Sequence, residues 1–240
     1  MGARIGIDVG GTFTDFILTR DGAPALLHKV LSTPADPSIA VVAGLAELAA
    51  MVDPAGTPAT FAASIETIVH GTTVATNATL THTGAKSALL TTEGVRDALE
   101  MRRGIREEQY NNAYTNVKPL VPRYLRAGVK GRLDRAGHEV EPLDLAAVDA
   151  AIAGFRREGV EAVSVCFMNS YANPAHEQAA AARVRAAMPE AFLTVSSALL
   201  PSIRFYERVS TTALNSYVGP RLHRYVEQLV SRLAAAGFRG

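Results

Sequence analysis

From Leu143 to Ser196 the chain alternates between two kinds of pattern, and this alternation constrains its fold more than any other feature. Helical periodicity over Leu143–Glu158 gives way to the apolar run Ala162–Met168. A second helical stretch, Pro174–Met188, is followed by a second short β-rich run, Phe192–Ser196. Short apolar runs separated by helix-length segments are the signature of strands joined by crossover helices, because parallel strands cannot be linked by a tight turn. The chain is therefore α/β, with a mixed, partly parallel sheet and flanking helices.

The first third reads differently. Ala3–Val9, Thr12–Thr19 and Ala25–Leu31 are β-rich and joined by short turns at Gly10-Gly11 and Asp21-Gly22, which predicts an antiparallel meander. A helix is expected over Pro37–Met51, where Ile39, Val42, Leu45, Leu48 and Met51 recur at helical spacing. Beyond it come a strand at Ser64–Val69, a short helix at Val74–Leu80, a strand at Ser87–Thr91 and a short helix at Val95–Met101. Arg102–Pro142 is polar and weakly periodic, and reads as a surface insertion or β-rich flap. Ile203–Ala236 is a long helical stretch that Pro220 should kink or divide.

Composition removes several classes of function. The 240 residues carry 24 Lys and Arg against 23 Asp and Glu, a net charge of +1, which argues against a nucleic-acid binder. Hydrophobic residues at 48% and charged residues at 20% describe an ordinary globular chain rather than a disordered one. The one cysteine, Cys166, rules out an intramolecular disulfide, and its apolar neighbours Val163 to Met168 make it a buried thiol. No stretch is long and apolar enough for a membrane helix, and Asp8 interrupts any signal-like start, so a cytoplasmic, soluble protein with no membrane association is expected.

Two segments carry chemistry. Ile5-Gly6-Ile7-Asp8-Val9-Gly10-Gly11-Thr12-Phe13-Thr14-Asp15 is an apolar strand with a carboxylate near its end, a two-glycine turn, and two hydroxyls spaced two apart. It is neither a Walker loop nor a dinucleotide turn. Glycines can reach left-handed backbone conformations and approach a ligand closely, so their N–H groups can line an anion site. Strand periodicity should set Thr12 and Thr14 on one face, and Asp8 can hold Mg²⁺ directly or through water. Turn chemistry alone is equally satisfied by a plain hairpin.

The second segment, Ile68-Val69-His70-Gly71-Thr72-Thr73-Val74-Ala75-Thr76-Asn77-Ala78-Thr79, is a strand, a glycine and hydroxyls opening a helix, a place where free N–H groups suit a phosphate or oxyanion. Thr72 or Thr73 can also serve simply as helix caps. His70 can polarise an acceptor, shuttle a proton, or be a hydrogen-bonded histidine at a strand end. The other histidines, His28, His82, His138, His176 and His223, lack metal-ligand spacing. Arg102-Arg103-Gly104-Ile105-Arg106 reads as a solvated basic face before an anion site. Tyr206 and Tyr217 read as packing aromatics, and Ser210, Thr211 and Thr212 either line a cleft or face solvent.

Together these segments resemble the N-terminal half of the hydantoinase A/5-oxoprolinase family, which includes the ATP-using subunits of acetone and acetophenone carboxylases. Further blocks carry the resemblance across essentially the whole chain: Leu89-Leu90-Thr91-Thr92-Glu93-Gly94-Val95-Arg96-Asp97, Gly131-Arg132-Leu133-Asp134 with Glu141-Pro142-Leu143-Asp144, Asn169-Ser170-Tyr171-Ala172-Asn173-Pro174-Ala175-His176-Glu177, and the helix from Arg204-Phe205-Tyr206-Glu207-Arg208 through Ser210-Thr211-Thr212 to Tyr217.

The resemblance implies the first lobe of an actin-like (ribonuclease H-like) ATPase fold. It also implies use of ATP and Mg²⁺ to phosphorylate a carbonyl oxygen of a cyclic amide or ketone, and a second, hydantoinase B-like subunit. On that reading Asp8 supports Mg²⁺, while Gly10, Gly11, Thr12 and Thr14 surround phosphates. Gly71, Thr72 and Thr73, with His70, lie near the transferring group or its acceptor. The same resemblance divides the chain into a lobe over residues 1–200, with 102–142 as an insertion or flap, and a helix over 201–240 beginning a second lobe. Family members continue for several hundred residues with a second Gly-Gly phosphate segment. No second Asp-x-Gly-Gly-Thr occurs here, so this chain alone is expected to be an incomplete enzyme.

Overall fold

Alternation over Ala3–Val9 makes β1, whose Ala3, Ile5, Ile7 and Val9 side chains are all buried. In the computed structural model, which describes residues 2–105 and 107–240, β1 lies between β2 (Phe13–Arg20) and β4 (Ile65–Thr72), with β3 (Ala23–Leu31) beyond β2. The first three strands pair antiparallel, as the meander requires. Gly22 takes the left-handed backbone of the tight turn between β2 and β3, at φ 73°. β4 pairs parallel to β1, so the connection between β3 and β4 must cross one face of the sheet.

Helix α1 (Pro37–Val52) makes that crossing. Asp36 caps it by accepting from Ser38 N at 3.1 Å, and Pro37 occupies the first turn, where no N–H is needed. Val41, Leu45 and Leu48 bury against Ile5, Phe16 and Leu18. Gly44 permits this close approach, since a Cβ there would stand 2.3 Å from the Phe16 ring. Helix α2 (Pro58–Ala63) opens with a Thr57–Thr60 capping box, and α3 (Val74–Leu80) follows β4.

A second sheet is all parallel. It is built from β5 (Ser87–Thr92), then β6 (Arg126–Val129) after the short α4 (Ala98–Met101). Next come the hairpin strands β7 (Arg132–Leu133) and β8 (Glu139–Glu141), helix α5 (Leu145–Arg157) and strand β9 (Ala162–Cys166). Helix α6 (Ala175–Ala187), strand β10 (Phe192–Val195) and the short α7 (Ser196–Leu199) precede α8 (Phe205–Ala235). The order is β10-β9-β5-β6, and every residue of β5 and β9 is buried, the pattern of strands covered on both faces.

Three expectations need correction here. The segment 102–142 is not simply a surface flap: β6 joins the parallel sheet, and Val121, Leu125 and Val129 belong to its core. Its polar composition includes a buried Arg126, which donates from Nε to Val121 O at 2.9 Å and pairs with Glu100 at 3.1 Å. Pro220 lies inside a continuous α8 and does not divide it. The chain parts into two compact units, residues up to Thr81 with Arg221–Gly240, and His82–Pro220, rather than near residue 200. Tyr225, Leu229 and Leu233 explain why: they bury with Ile5, Leu18 and Leu45 in the first unit's core.

The second unit is fastened by one buried ion pair. Arg208 and Glu177, each 0% exposed, lie 3.6 Å apart. Glu177 Oε1 accepts from Phe167 N at 2.8 Å and from Ser196 Oγ at 2.5 Å, and Oε2 accepts from Ser197 N at 2.8 Å. Arg208 donates to Ser196 Oγ at 2.7 Å and to Ser170 Oγ. Beside it, burial pushes the Cys166 thiol up to about 12, which makes it a poor nucleophile. No helix among the described residues is long and apolar enough to cross a membrane.

Removing one partner of this pair strands a charge in the core. Glu177→Leu should lower stability by about 3–5 kcal/mol, read as the midpoint of urea unfolding. Adding Arg208→Met should recover part of that loss, because the orphaned guanidinium is then gone. Equal or greater loss in the double variant would contradict the assignment.

Candidate functional site

The parallel register of β1 and β4 sets Ile7 beside His70, Asp8 beside Gly71 and Val9 beside Thr72. Just past the strand ends, Thr73 N–H donates to Val9 O at 3.1 Å, and the Thr73 hydroxyl reaches the same oxygen at 3.4 Å. Two segments about sixty residues apart in sequence are thus stitched into one locus. His70, Gly71 and Thr72 belong to β4 itself, so the strand runs further than Val69, where sequence periodicity ends it.

The Gly10-Gly11 turn is closed by Gly10 N–H donating to Phe13 O at 3.0 Å. Neither these glycines nor Gly71 adopts left-handed backbone, contrary to expectation. Space is the requirement at the turn: a Cβ on Gly10 would meet Phe13 O at 3.1 Å, and one on Gly11 the Asn77 amide at 3.3 Å. At Gly71 an added Cβ would make an ordinary 3.4 Å contact with Asp8 Oδ1. The N–H groups of Gly11 and Thr12 have no partner among the described residues and remain available to an anion.

The hydroxyls divide sharply. Thr14 is fully buried, with Oγ1 hydrogen-bonded to Ser32 Oγ at 3.0 Å, and Ser32 in turn donates to Gly10 O at 2.8 Å. Thr12 precedes β2 and is exposed, so the expected shared face of Thr12 and Thr14 does not form. Thr72 Oγ1 accepts from Val74 N at 3.2 Å, and Thr73 Oγ1 accepts from Asn77 Nδ2 at 3.1 Å. Of the four, Thr12 alone offers an uncommitted hydroxyl among the described residues.

Asp8 is exposed and makes no ion pair among the described residues. Its cross-strand neighbour Asp15 is neutralised by Lys29 Nζ at 2.9 Å, which relieves the like-charge pairing. Asp8 and Gly71 open onto a groove of about 640 Å³ along the uncovered sheet face, lined also by Gly6, Ile17, Leu27 and Val69. No cluster of three His, Cys, Asp or Glu side chains that could hold a metal occurs among the described residues. A cation here would rest on Asp8, water and ligand oxygens, an arrangement that suits Mg²⁺ beside phosphates.

His70 is half-buried. Its Nε2 lies 2.7 Å from Tyr225 Oη, while its Nδ1 is buried without a partner. Burial pushes the imidazole below its usual range, and the Asp8 charge only partly opposes this. Burial likewise pushes the Tyr225 phenol up to about 12. Tyr225, Ser32 and Asn77 were not singled out from sequence, and a lone polar side chain far along the chain gives no signal of such contacts. Arg102 and Arg103 pair with Glu107 and Glu207, so these two arginines of the basic run are neutralised locally. Arg106 lies outside the described residues.

A sequence profile of the hydantoinase/oxoprolinase N-terminal region matches residues 4–188. The chain belongs to the hydantoinase/oxoprolinase family. It is 45% identical over 229 residues to the caprolactamase alpha subunit of Pseudomonas jessenii, covering 94% of this chain and 32% of that one. It is 34% identical to the acetophenone carboxylase gamma subunit of Aromatoleum aromaticum, covering 98% of this chain and 34% of that one. The crystal structure of ATP-dependent caprolactamase from P. jessenii superposes with a TM-score of 0.91 at 43% identity, over 99% of this chain and 34% of that one. The chain thus spans about a third of the length of these relatives.

The depressed His70 pKa has a stability consequence with a definite sign. The unfolded chain binds the proton more readily than the folded one in the window below 6.5. Stability should therefore fall as pH drops through that window, and His70→Gln should weaken the dependence. Urea midpoints for both proteins at about pH 7.5 and about pH 5.5 test this; identical pH slopes would contradict it.

Proposed function

We propose that this chain is the phosphate-binding portion of an ATP-dependent enzyme that opens a cyclic amide of the hydantoin or 5-oxoproline type by phosphorylating its carbonyl oxygen. One observation carries the reading: an unpaired, exposed Asp8 stands beside a turn whose Gly11 and Thr12 N–H groups are free, at the end of a parallel strand pair. The likeness to an ATP-dependent caprolactamase supports it. An actin-like first lobe, with the remaining nucleotide contacts supplied by further polypeptide, is part of the same proposal, as is a second subunit, since the relatives are named as subunits.

Bound Mg·ATP would supply an electrophilic phosphoryl group, whose transfer depends on positioning and charge neutralisation more than on covalent help from the protein. Gly11 and Thr12 would present N–H groups, and Thr12 its hydroxyl, to phosphate oxygens. Asp8 would hold the cation through its carboxylate or through water. Gly71, lacking a side chain beside Asp8, leaves that carboxylate uncovered on the groove. Thr14, Thr72 and Thr73 act through the backbone they brace. A ketone carboxylase role is the second reading, favoured by the 34% identity to the acetophenone carboxylase gamma subunit.

Asp8→Asn in the complete enzyme should leave melting unchanged and weaken Mg·ATP binding at least tenfold, about 1.4 kcal/mol, with loss of substrate-stimulated phosphate release. Near-normal phosphate release by the variant would overturn the assignment. Phosphate release stimulated by hydantoin or 5-oxoproline without bicarbonate separates the amide reading from the carboxylase one, which requires a ketone and bicarbonate together. Gly11→Val adds a check on the turn. Its side chain would crowd Asn77, and Mg·ATP affinity should fall more than stability does.

A further inference from the structure

Strand pairing sets three charged side chains in one row on the uncovered face of the first sheet. Asp8 of β1 stands opposite Asp15 of β2, and Asp15 stands opposite Lys29 of β3. Residues directly opposed on neighbouring strands project to the same face, so two carboxylates and an ammonium share it. Lys29 is the one lysine or arginine among the described residues that line the groove beside Asp8. His28 also borders this groove, but its Nε2 is committed to Glu47 of α1 at 2.8 Å.

The Lys29 ammonium lies 2.9 Å from Asp15 Oδ1 and 4.9 Å from the centre of the Phe13 ring. Phe13 directly follows the Gly10-Gly11-Thr12 turn, so the side chain leans toward that turn and away from the far end of the groove. The end of β3 is tied to the same turn: Ser32 N–H donates to Thr12 O at 2.9 Å, and Ser32 Oγ donates to Gly10 O at 2.8 Å. An ammonium has three donors. Asp15 takes one, and no second acceptor for Lys29 occurs among the described residues. At 56% and 51% exposure the Lys29 and Asp15 side chains form an ion pair that contributes little to stability, so the fold does not require it.

We propose that Lys29 is a further phosphate ligand of this site, held in place by Asp15. The proposal rests on the phosphoryl-transfer reading. Lys29 supplies a second positive group beside the cation that Asp8 holds, and its two free N–H donors meet anion oxygens that Gly11 and Thr12 approach from the turn. Without it the row presents two carboxylates to a polyphosphate. Neutralising the charge on the phosphoryl oxygens is the main service that such a site provides.

Calorimetric titration of the complete enzyme with Mg·ATP and, separately, with Mg·pyrophosphate tests this. Lys29→Met should weaken Mg·ATP binding about tenfold or more while the melting temperature stays unchanged. Lys29→Arg should remain within about threefold of the wild type, because a guanidinium also binds phosphate. The double variant Asp15→Asn with Lys29→Met separates a ligand from a mere counter-charge. It restores the net charge of the row but lacks the ammonium, so its affinity should stay as low as that of Lys29→Met. Recovery of wild-type affinity in the double variant would overturn the proposal, as would unchanged binding by Lys29→Met. Pyrophosphate keeps this test apart from the nucleotide reading. Mg·pyrophosphate binding that depends on Lys29, without any Mg·ATP binding, supports the ligand and refutes the nucleotide. Mg·ATP binding indifferent to Lys29 refutes the ligand alone, and binding of neither overturns both.

Discussion

The parallel pairing of β1 with β4 is the constraint on which the candidate site depends. Separately, each motif is a strand that runs into glycines and hydroxyls, and neither has a structure that demands a ligand. Once Asp8 is in register with Gly71 and Thr73 N–H is tied to Val9 O at 3.1 Å, the two strand ends share one position in space. That register is itself fixed by burial. Ile5, Ile7 and Val9 point into the core beneath α1, and a slip of one residue would turn Asp8 inward and those apolar side chains outward.

Much of the fold was legible because apolar periodicity is a local property. The meander, α1, the alternation from α5 to β10 and the long α8 all follow from residues that neighbours in sequence suffice to explain. What escaped were elements whose character depends on distant partners. Arg126 reads as a loop residue until Val121 O and Glu100 neutralise it inside the sheet. Pro220 reads as a breaker, yet α8 continues through it, and the helix half beyond it buries Tyr225, Leu229 and Leu233. Tertiary burial there outweighs the roughly 3 kcal/mol that a proline costs inside a helix.

The site was legible in outline and not in detail. Residue type placed Asp8, the Gly-Gly turn and the four threonines together, but it could not say which hydroxyls are already engaged. Three of the four threonines brace the locus from behind: Thr14 through Ser32, Thr72 through Val74, Thr73 through Asn77. The same lesson applies to the blocks around His176-Glu177 and Arg208, which look as chemical as the Gly-Gly turn. In the structure Glu177 and Arg208 pair in the second unit's core, and His176 holds Glu139 of β8 at 2.7 Å. A charged residue within a recognisable block is evidence of a constraint, and burial decides whether that constraint is architectural or chemical.

The charge balance around Asp8 shows why His70 matters even in its neutral form. Two carboxylates face each other across β1 and β2, and Lys29 neutralises only Asp15. A protonated His70 would compensate Asp8 and compete with any cation that the carboxylate is to hold. Burial works against that protonation and outweighs the attraction of Asp8, so the imidazole stays neutral at pH 7. Tyr225 adds to that burial: it is 4% exposed, and its Oη lies 2.7 Å from Nε2. The pair therefore leaves the Asp8 charge unopposed at the groove, and a substitution that lets His70 charge should weaken cation binding at Asp8 without touching Asp8 itself.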